Sequence, residues 1–239
     1  IFRPYFIIPF ESHIFFSNKE NYYLNDKIVK IEDVQNYVKN NFSYAHPVVL
    51  YPGEKWLFTK KSNTNSIEQY RISRKNIKVL YQDPKVSLEE LVKEFEFFRE
   101  RVFSKNNFYL IFLTKLILNM LKKSFIPKIH FLIKDHYKVI TLDLLFGSKL
   151  ANIQNKNIDI EINSHSLLYS LKHEWGGSTL KINGKFITHS NDAEKKLSNF
   201  FFLPKINSTG KTLFRFLLDR ILLKKYKKID DFESSFFKK

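Results

Sequence analysis

Apolar and polar positions divide the chain into three differently patterned stretches. From Tyr5 to Pro9 the residues are apolar and end at a proline, which suits a short buried strand better than a helix. The segment IEDVQNYVKNN, Ile31 to Asn41, puts Ile31, Val34, Tyr37 and Val38 on one helical face. Glu32 and Asp33 stand in its first turn and Lys39 near its end, as the helix dipole favours. PVVLY, Pro47 to Tyr51, reads as a second short strand. It ends in Pro52-Gly53, where proline presets its own dihedral and glycine accepts a positive one. From about Lys60 to Pro84 the chain is polar with little periodicity, an exposed excursion with one strand at Ile77 to Tyr81.

Helical periodicity then takes over. Ser87 and Glu90 form a capping box, and Leu88, Leu91, Val92, Phe95, Phe98 and Val102 line one side of the helix that follows. After Lys105-Asn106-Asn107 a second helix runs from Phe108 to about Lys123. It is apolar nearly all round, which predicts burial between layers and a helical hairpin with its predecessor. Beyond Pro127 the period changes to two. Ile129 to Ile133 and Val139 to Leu145 are strands about a turn at Asp135-His136-Tyr137. Asn157 to Asn163 (NIDIEIN) alternates, with Ile158, Ile160 and Ile162 on one face and Asp159 and Glu161 on the other. Ser164 to His173 is a short helix with Leu167, Leu168 and Leu171 inward, broken by Gly176-Gly177. Ser178 to Ile187 reads as a strand hairpin turning at Asn183-Gly184. Asn191 caps a helix with Glu194 three residues on, carrying Ala193, Leu197, Phe200 and Phe201. A basic amphipathic helix from about Lys211 to Tyr226 precedes a frayed tail.

Composition narrows the classes. The 239 residues are 44% hydrophobic and 16% aromatic, enough for a real core, and no apolar run reaches the length of a membrane span. The richest stretch, Phe108 to Leu121, is interrupted by Thr114, Lys115 and Asn119. With no cysteine there are no disulfides, thiolate metal sites or cysteine nucleophiles, which fits a reducing compartment and the expectation of a cytoplasmic location. The chain opens on Ile1 without a signal-peptide pattern, which suggests the C-terminal part of a longer protein. A formal charge of +16 invites a nucleic-acid reading. The lysines are dispersed, however, in a composition that AT-rich codons favour, and no helix-turn-helix, zinc-finger or RNP-like motif accompanies them. An anionic surface or a phosphate-bearing substrate fits the charge better.

Candidate chemistry concentrates between Arg3 and Asp26. There Glu11, His13, Asn18, Glu20, Asn21, Asn25 and Asp26 are interleaved with Phe10, Phe15, Phe16, Tyr22 and Tyr23. Polar groups this dense, just past a strand end, are where α/β proteins place their sites, and carboxylates with amides can orient a polar or anionic small molecule. The plainer reading is a loop whose Asn and Asp side chains serve turns. Gly210-Lys211-Thr212 lacks the upstream glycine of a phosphate loop, Lys205 standing in its place.

Two family resemblances rest on these stretches. IIPFESHIFFSNKEN, a spacer ending in LND, the IEDVQNYVKNN helix and VVLYPGEKW occur in an order that resembles the C-terminal portion of metallo-β-lactamase-fold hydrolases. The branch concerned includes CMP-N-acetylneuraminate hydroxylase, and the likeness covers Ile1 to Trp56. It implies metal-assisted hydrolysis of a polar or sugar-derived substrate, with a divalent metal (Zn or Fe) activating water. The family's His-x-His-x-Asp-His cluster lies upstream and is absent here. Where the family commonly has a histidine before a Glu-Asn pair, this chain has Asn18, with His13 five residues earlier. On that resemblance the segment supplies pocket wall and is catalytically silent alone. The second half, about Ile126 to Leu203, resembles a sterol-carrier-protein-like domain through LDLLFGS, NIDIEIN, SHSLLYSL, a small-residue break, LKINGKF and NDAEKKLSNFF, in that order. This implies an apolar tunnel for a lipid or acyl chain, or a structural, homodimerising role in envelope polysaccharide biosynthesis. The expected architecture is α+β. Residues 1–84 form a metallo-β-lactamase-fold edge (strand, helix, strand), 85–125 a helical hairpin, and 126–239 a small sterol-carrier-like domain with a mainly antiparallel sheet.

Overall fold

The structure is a computed structural model that describes residues 3–10, 14–58, 65–76, 81–153 and 157–222. Its contacts fall into two compact units, Ile1–Gln82 and Asp83–Lys239. The helices between 88 and 120 belong to the second unit and form no unit of their own.

In the first unit, β1 (Phe6–Ile7) pairs in parallel with β2 (His46–Pro47), joined by a 3₁₀ turn at Tyr22–Lys27 and by α1 (Ile31–Asn41). Of the α1 face, Ile31 and Val38 are buried while Tyr37 is exposed. The expected strand from Pro47 to Tyr51 shortens to the pair at His46–Pro47, although Val48 and Val49 stay buried. Pro52-Gly53 does turn the chain: Glu54 N–H donates to Tyr51 O at 2.9 Å, and Gly53 has a φ of +89°. The polar excursion contains a helix, α2 (Asn65–Asn76), which overturns the exposed-loop expectation there. Few apolar positions hold it. Tyr70 packs with Ile31 and Val49 and donates to Leu50 O at 2.8 Å, and Arg71 pairs with Glu32 at 2.7 Å. The strand expected from Ile77 falls on residues that, apart from Tyr81, lie outside the described ones.

The second unit is α+β. Ser87 caps α3 (Leu88–Lys105) by accepting from Glu90 N–H at 3.1 Å. Then come α4 (Phe108–Met120), β3 (Ile129–Ile133), β4 (Lys138–Asp143), β5 (Gly147–Ala151), β6 (Ile160–Ile162), α5 (Ser164–Lys172) and α6 (Gly176–Asn183). β7 (Ile187–Thr188), α7 (Ala193–Phe200), α8 (Phe202–Asn207) and a helix at 213–222, here α9, complete it. The sheet order is β5-β4-β3-β6-β7, antiparallel except where β6 runs parallel beside β3. Alternation in β3 buries Ile129, Phe131 and Ile133 completely. Onto that face α3 sets Leu91, Phe95, Phe98 and Val102, and α7 sets Ala193, Leu197 and Phe200. The rings of Phe95, Phe98 and Phe200 cluster at mutual distances of 5.9, 5.9 and 6.2 Å, and Phe131 meets Phe200 edge-on.

Two expectations change here, the hairpin at Ser178 to Ile187 and the burial of α4. Ser178 to Ile187 is no hairpin: Asn183-Gly184 ends helix α6, with Gly184 at φ +61° and its N–H on Leu180 O. Asn-Gly satisfies a left-handed helix cap as readily as a hairpin turn, and the bond to Leu180 O, four residues back, is that of the cap. Gly176-Gly177 accordingly starts that helix. Asp159 points inward, 4% exposed, accepting from His130 N–H at 3.0 Å and from Lys196 at 2.8 Å. The bond to Asp159 raises the Lys196 pKa. Finally, α4 is not buried between layers. Only Ile111 and Thr114 of its residues are buried, and the main helical neighbour of α3 is α5.

Candidate functional site

The residues singled out between Arg3 and Asp26 form a loop whose amides serve its own backbone. Glu11 and His13 lie outside the described residues. Asn18 is 6% exposed and its Oδ1 accepts from Glu20 N–H at 3.0 Å, an Asx-type turn. Its neighbours join Tyr81: Lys19 N–H donates to Tyr81 O at 3.0 Å and Tyr81 N–H to Ser17 O at 2.8 Å. Asn25 accepts from Phe16 N–H at 2.9 Å and donates to Phe16 O and Tyr22 O at 2.8 and 2.9 Å. Asn21 is buried, Glu20 half-buried and Asp26 exposed. The loop thus brings Asn18, Glu20, Asn21 and Asn25 together, with Asn18 and Asn25 acting as clamps.

Among the described residues no group of three or more His, Asp or Glu side chains stands where it could hold an ion.

The second unit offers two concave places. One, of about 180 Å³, lies between α5 and α6, lined by His165, Ser166, Tyr169, Leu180 and Lys185 among others. At its rim Lys185 binds Asp83 at 2.7 Å and His165 stands 3.7 Å from the same carboxylate, so the cation at the rim is already neutralised. The other is an open groove of about 300 Å³ walled by Leu88 at the start of α3 and by Leu150 and Ala151 of β5. Lys138 and Asn152 line its remaining side, 2.7 Å apart from Nζ to Oδ1. Among the described residues this ammonium meets only a neutral amide, so it can donate to an anionic partner as well. Nothing in the sequence pattern pointed to Lys138, because residues 88, 138 and 150 meet only through the fold. The apolar interior on which a lipid tunnel would draw is filled by the Phe95, Phe98 and Phe200 stack.

A third feature is convex. The side of α4 turned away from the core carries a continuous apolar row, including Phe112, Leu113, Leu116 and Ile117, each about half exposed. Compared with family models, curated proteins and solved structures, the chain matches none of them.

Proposed function

We propose that the Asp83–Lys239 unit is a binding module for an amphiphile, an acyl chain with an anionic head. The groove of Leu88, Leu150 and Ala151 with the Lys138 ammonium at its side carries this reading. Apolar walls take the chain and the cation takes the carboxylate, the division of labour expected of small-ligand sites, and about 300 Å³ lies at the lower end of their usual size. The strands β3, β4 and β6 and the helices α5 and α7 follow the order of the sterol-carrier-like resemblance, while α6 stands where its hairpin would be, and the ligand moves from the packed interior to this groove. Fatty acids are expected to displace a fluorescent reporter saturably at one site per chain. Lys138→Gln should weaken a fatty acid about tenfold, the worth of a charge-assisted bond, and leave its methyl ester unaffected. Equal loss for acid and ester, or no saturable displacement, would refute the groove.

A second reading keeps the hydrolase-like resemblance for the Ile1–Gln82 unit, as the closing edge of a larger parallel sheet. Its specific support is the two-residue parallel pair. Tyr5 O and Ile7 O accept from His46 N–H and Val48 N–H, so the peptide groups of Phe6 and Ile8 face away from β2. Parallel sheets are normally larger and covered on both faces. The Phe6 and Ile8 amides of this chain should therefore exchange with solvent deuterium without protection. Slow exchange at Phe6 would show a closed edge and end this reading.

A further inference from the structure

Helix α4 has two apolar faces, and only one is used. Inward, Ile111 is fully buried, Leu110 and Leu118 pack on the core, and Lys115 turns to Asp143 at 3.7 Å. Outward, Tyr109, Phe112, Leu113, Leu116, Ile117 and Met120 are each between 46% and 79% exposed. Singly exposed apolar side chains are ordinary, but these fall at alternating steps of three and one, so they form a single unbroken stripe. Because Lys115 is drawn inward, no charge interrupts it.

The end of the stripe is built with unusual residues. Lys123 N–H donates to Leu118 O at 2.8 Å and Lys122 N–H to Asn119 O at 2.9 Å, the bonding of a Schellman cap. The left-handed position of that cap, φ +54°, is held by Lys122 where glycine would be unstrained. Lysine there complements the helix dipole, and it also sets two exposed cations, Lys122 and Lys123, at the tip of the stripe. Every charge from Arg101 to Lys134 is positive.

These observations select the occupant. A second copy docked stripe to stripe would bring two carboxylate-free segments of a +16 chain together, and like charges would oppose it. An anionic lipid surface is complementary in both respects. At 13 residues α4 is about 20 Å long, and among the described residues no helix is long and apolar enough to cross a membrane. It would therefore lie in the interface plane.

We propose that α4 docks on an anionic lipid bilayer, sinking Phe112, Leu113, Leu116, Ile117 and Met120 into the boundary between headgroups and acyl chains while Lys122 and Lys123 meet lipid phosphates. The full chain should co-sediment with phosphatidylcholine vesicles containing phosphatidylglycerol, weakly with phosphatidylcholine alone, and less as salt is raised. Leu113→Glu with Ile117→Glu, at exposed positions, should leave the melting temperature in place and reduce vesicle affinity on the order of a hundredfold. Lys122→Gly should raise the melting temperature by about 2 °C while weakening vesicle binding about fivefold, opposite signs that a purely structural lysine would not produce. The inference does not rest on the acyl groove: Leu113→Glu should leave fatty-acid displacement intact, and Lys138→Gln should leave the requirement for the stripe intact. Failure of the wild-type chain to bind the anionic vesicles overturns the proposal. So does unchanged vesicle affinity in Lys122→Gly, or a wild-type dimer that the Leu113→Glu change turns into a monomer, which would assign the stripe to a second copy.

Discussion

Gly176→Ala is expected to destabilise the chain by about 3 kcal/mol or more, at the upper end of what overpacking costs. A Cβ at this position would sit 2.3 Å from Ser170 O and 2.7 Å from Ser170 Cα. Both atoms are backbone of α5, so relief requires moving a helix whose Leu167 and Leu171 are fully buried. At Gly177 the obstacle is the Phe201 ring, 2.3 Å away, and that ring is itself wedged edge-on against Phe98 and Phe200. Gly53 is the control: its φ of +89° strains any side chain, but nothing lies within 4 Å, so alanine there should cost only about 1 kcal/mol. Thermal melting separates them, with about 6–12 °C lost for Gly176→Ala against a few degrees for Gly53→Ala. Equal losses would mean that the close approach of α5 and α6 is not what selects glycine. A further consequence is local. The cavity lined by His165, Ser166 and Leu180 lies between these two helices, so a variant that survives by separating them should enlarge it.

The elements readable from pattern alone were those in which periodicity and burial agree. In α3 and α7 the apolar face foreseen from spacing is the face that is buried, because each packs on one side only. The reading failed where a local signal has two structural uses. Asn183-Gly184 serves a hairpin or a helix cap, and here the Gly184 N–H closes on Leu180 O, four residues back, as a cap does. Alternation in NIDIEIN separated Asp159 from Ile160 and Ile162 but did not reveal its burial, which a backbone N–H and a lysine meeting the carboxylate make possible. Helix α2 escaped because ion pairs and one tyrosine hold it, with little periodic apolar content. For α4, uniform hydrophobicity signals contact on all sides, but it cannot say whether the partner is this chain's own core. The same limit applies to function. Asn18 and Asn25 could be read as turn formers from residue type, and their bonds are of that kind. The groove at Lys138 draws on residues 50 or more positions apart from Leu88, and no linear pattern encodes such a meeting.

The second large effect is expected at a polar knot inside the apolar core. Asn106 and Asn207 are 4% and 6% exposed and bond to each other, Nδ2 to Oδ1, at 2.9 Å. Asn106 also accepts from Leu213 N–H at 2.7 Å, while Asn207 donates to Lys211 O at 2.8 Å. One pair of amides therefore satisfies Val102 O near the end of α3, Lys211 O in the segment after α8 and the Leu213 N–H in the first turn of α9. Asn106→Ala leaves the Leu213 N–H and the Asn207 carbonyl oxygen without partners away from water, and should cost about 3 kcal/mol. Asn207→Ala should cost about 2 kcal/mol, since the N–H of Leu213 keeps its acceptor. The double variant should lose less than the two singles combined, because the second change removes a group already stranded by the first. Asn106→Asp is the sharper test: it keeps an acceptor for Leu213 but puts an unpaired carboxylate opposite the Asn207 oxygen, and should be no more stable than alanine. Chemical denaturation of the four variants measures this. If Asn106→Ala costs under about 1 kcal/mol, or if the single losses simply add, the knot does not hold α9 to the core.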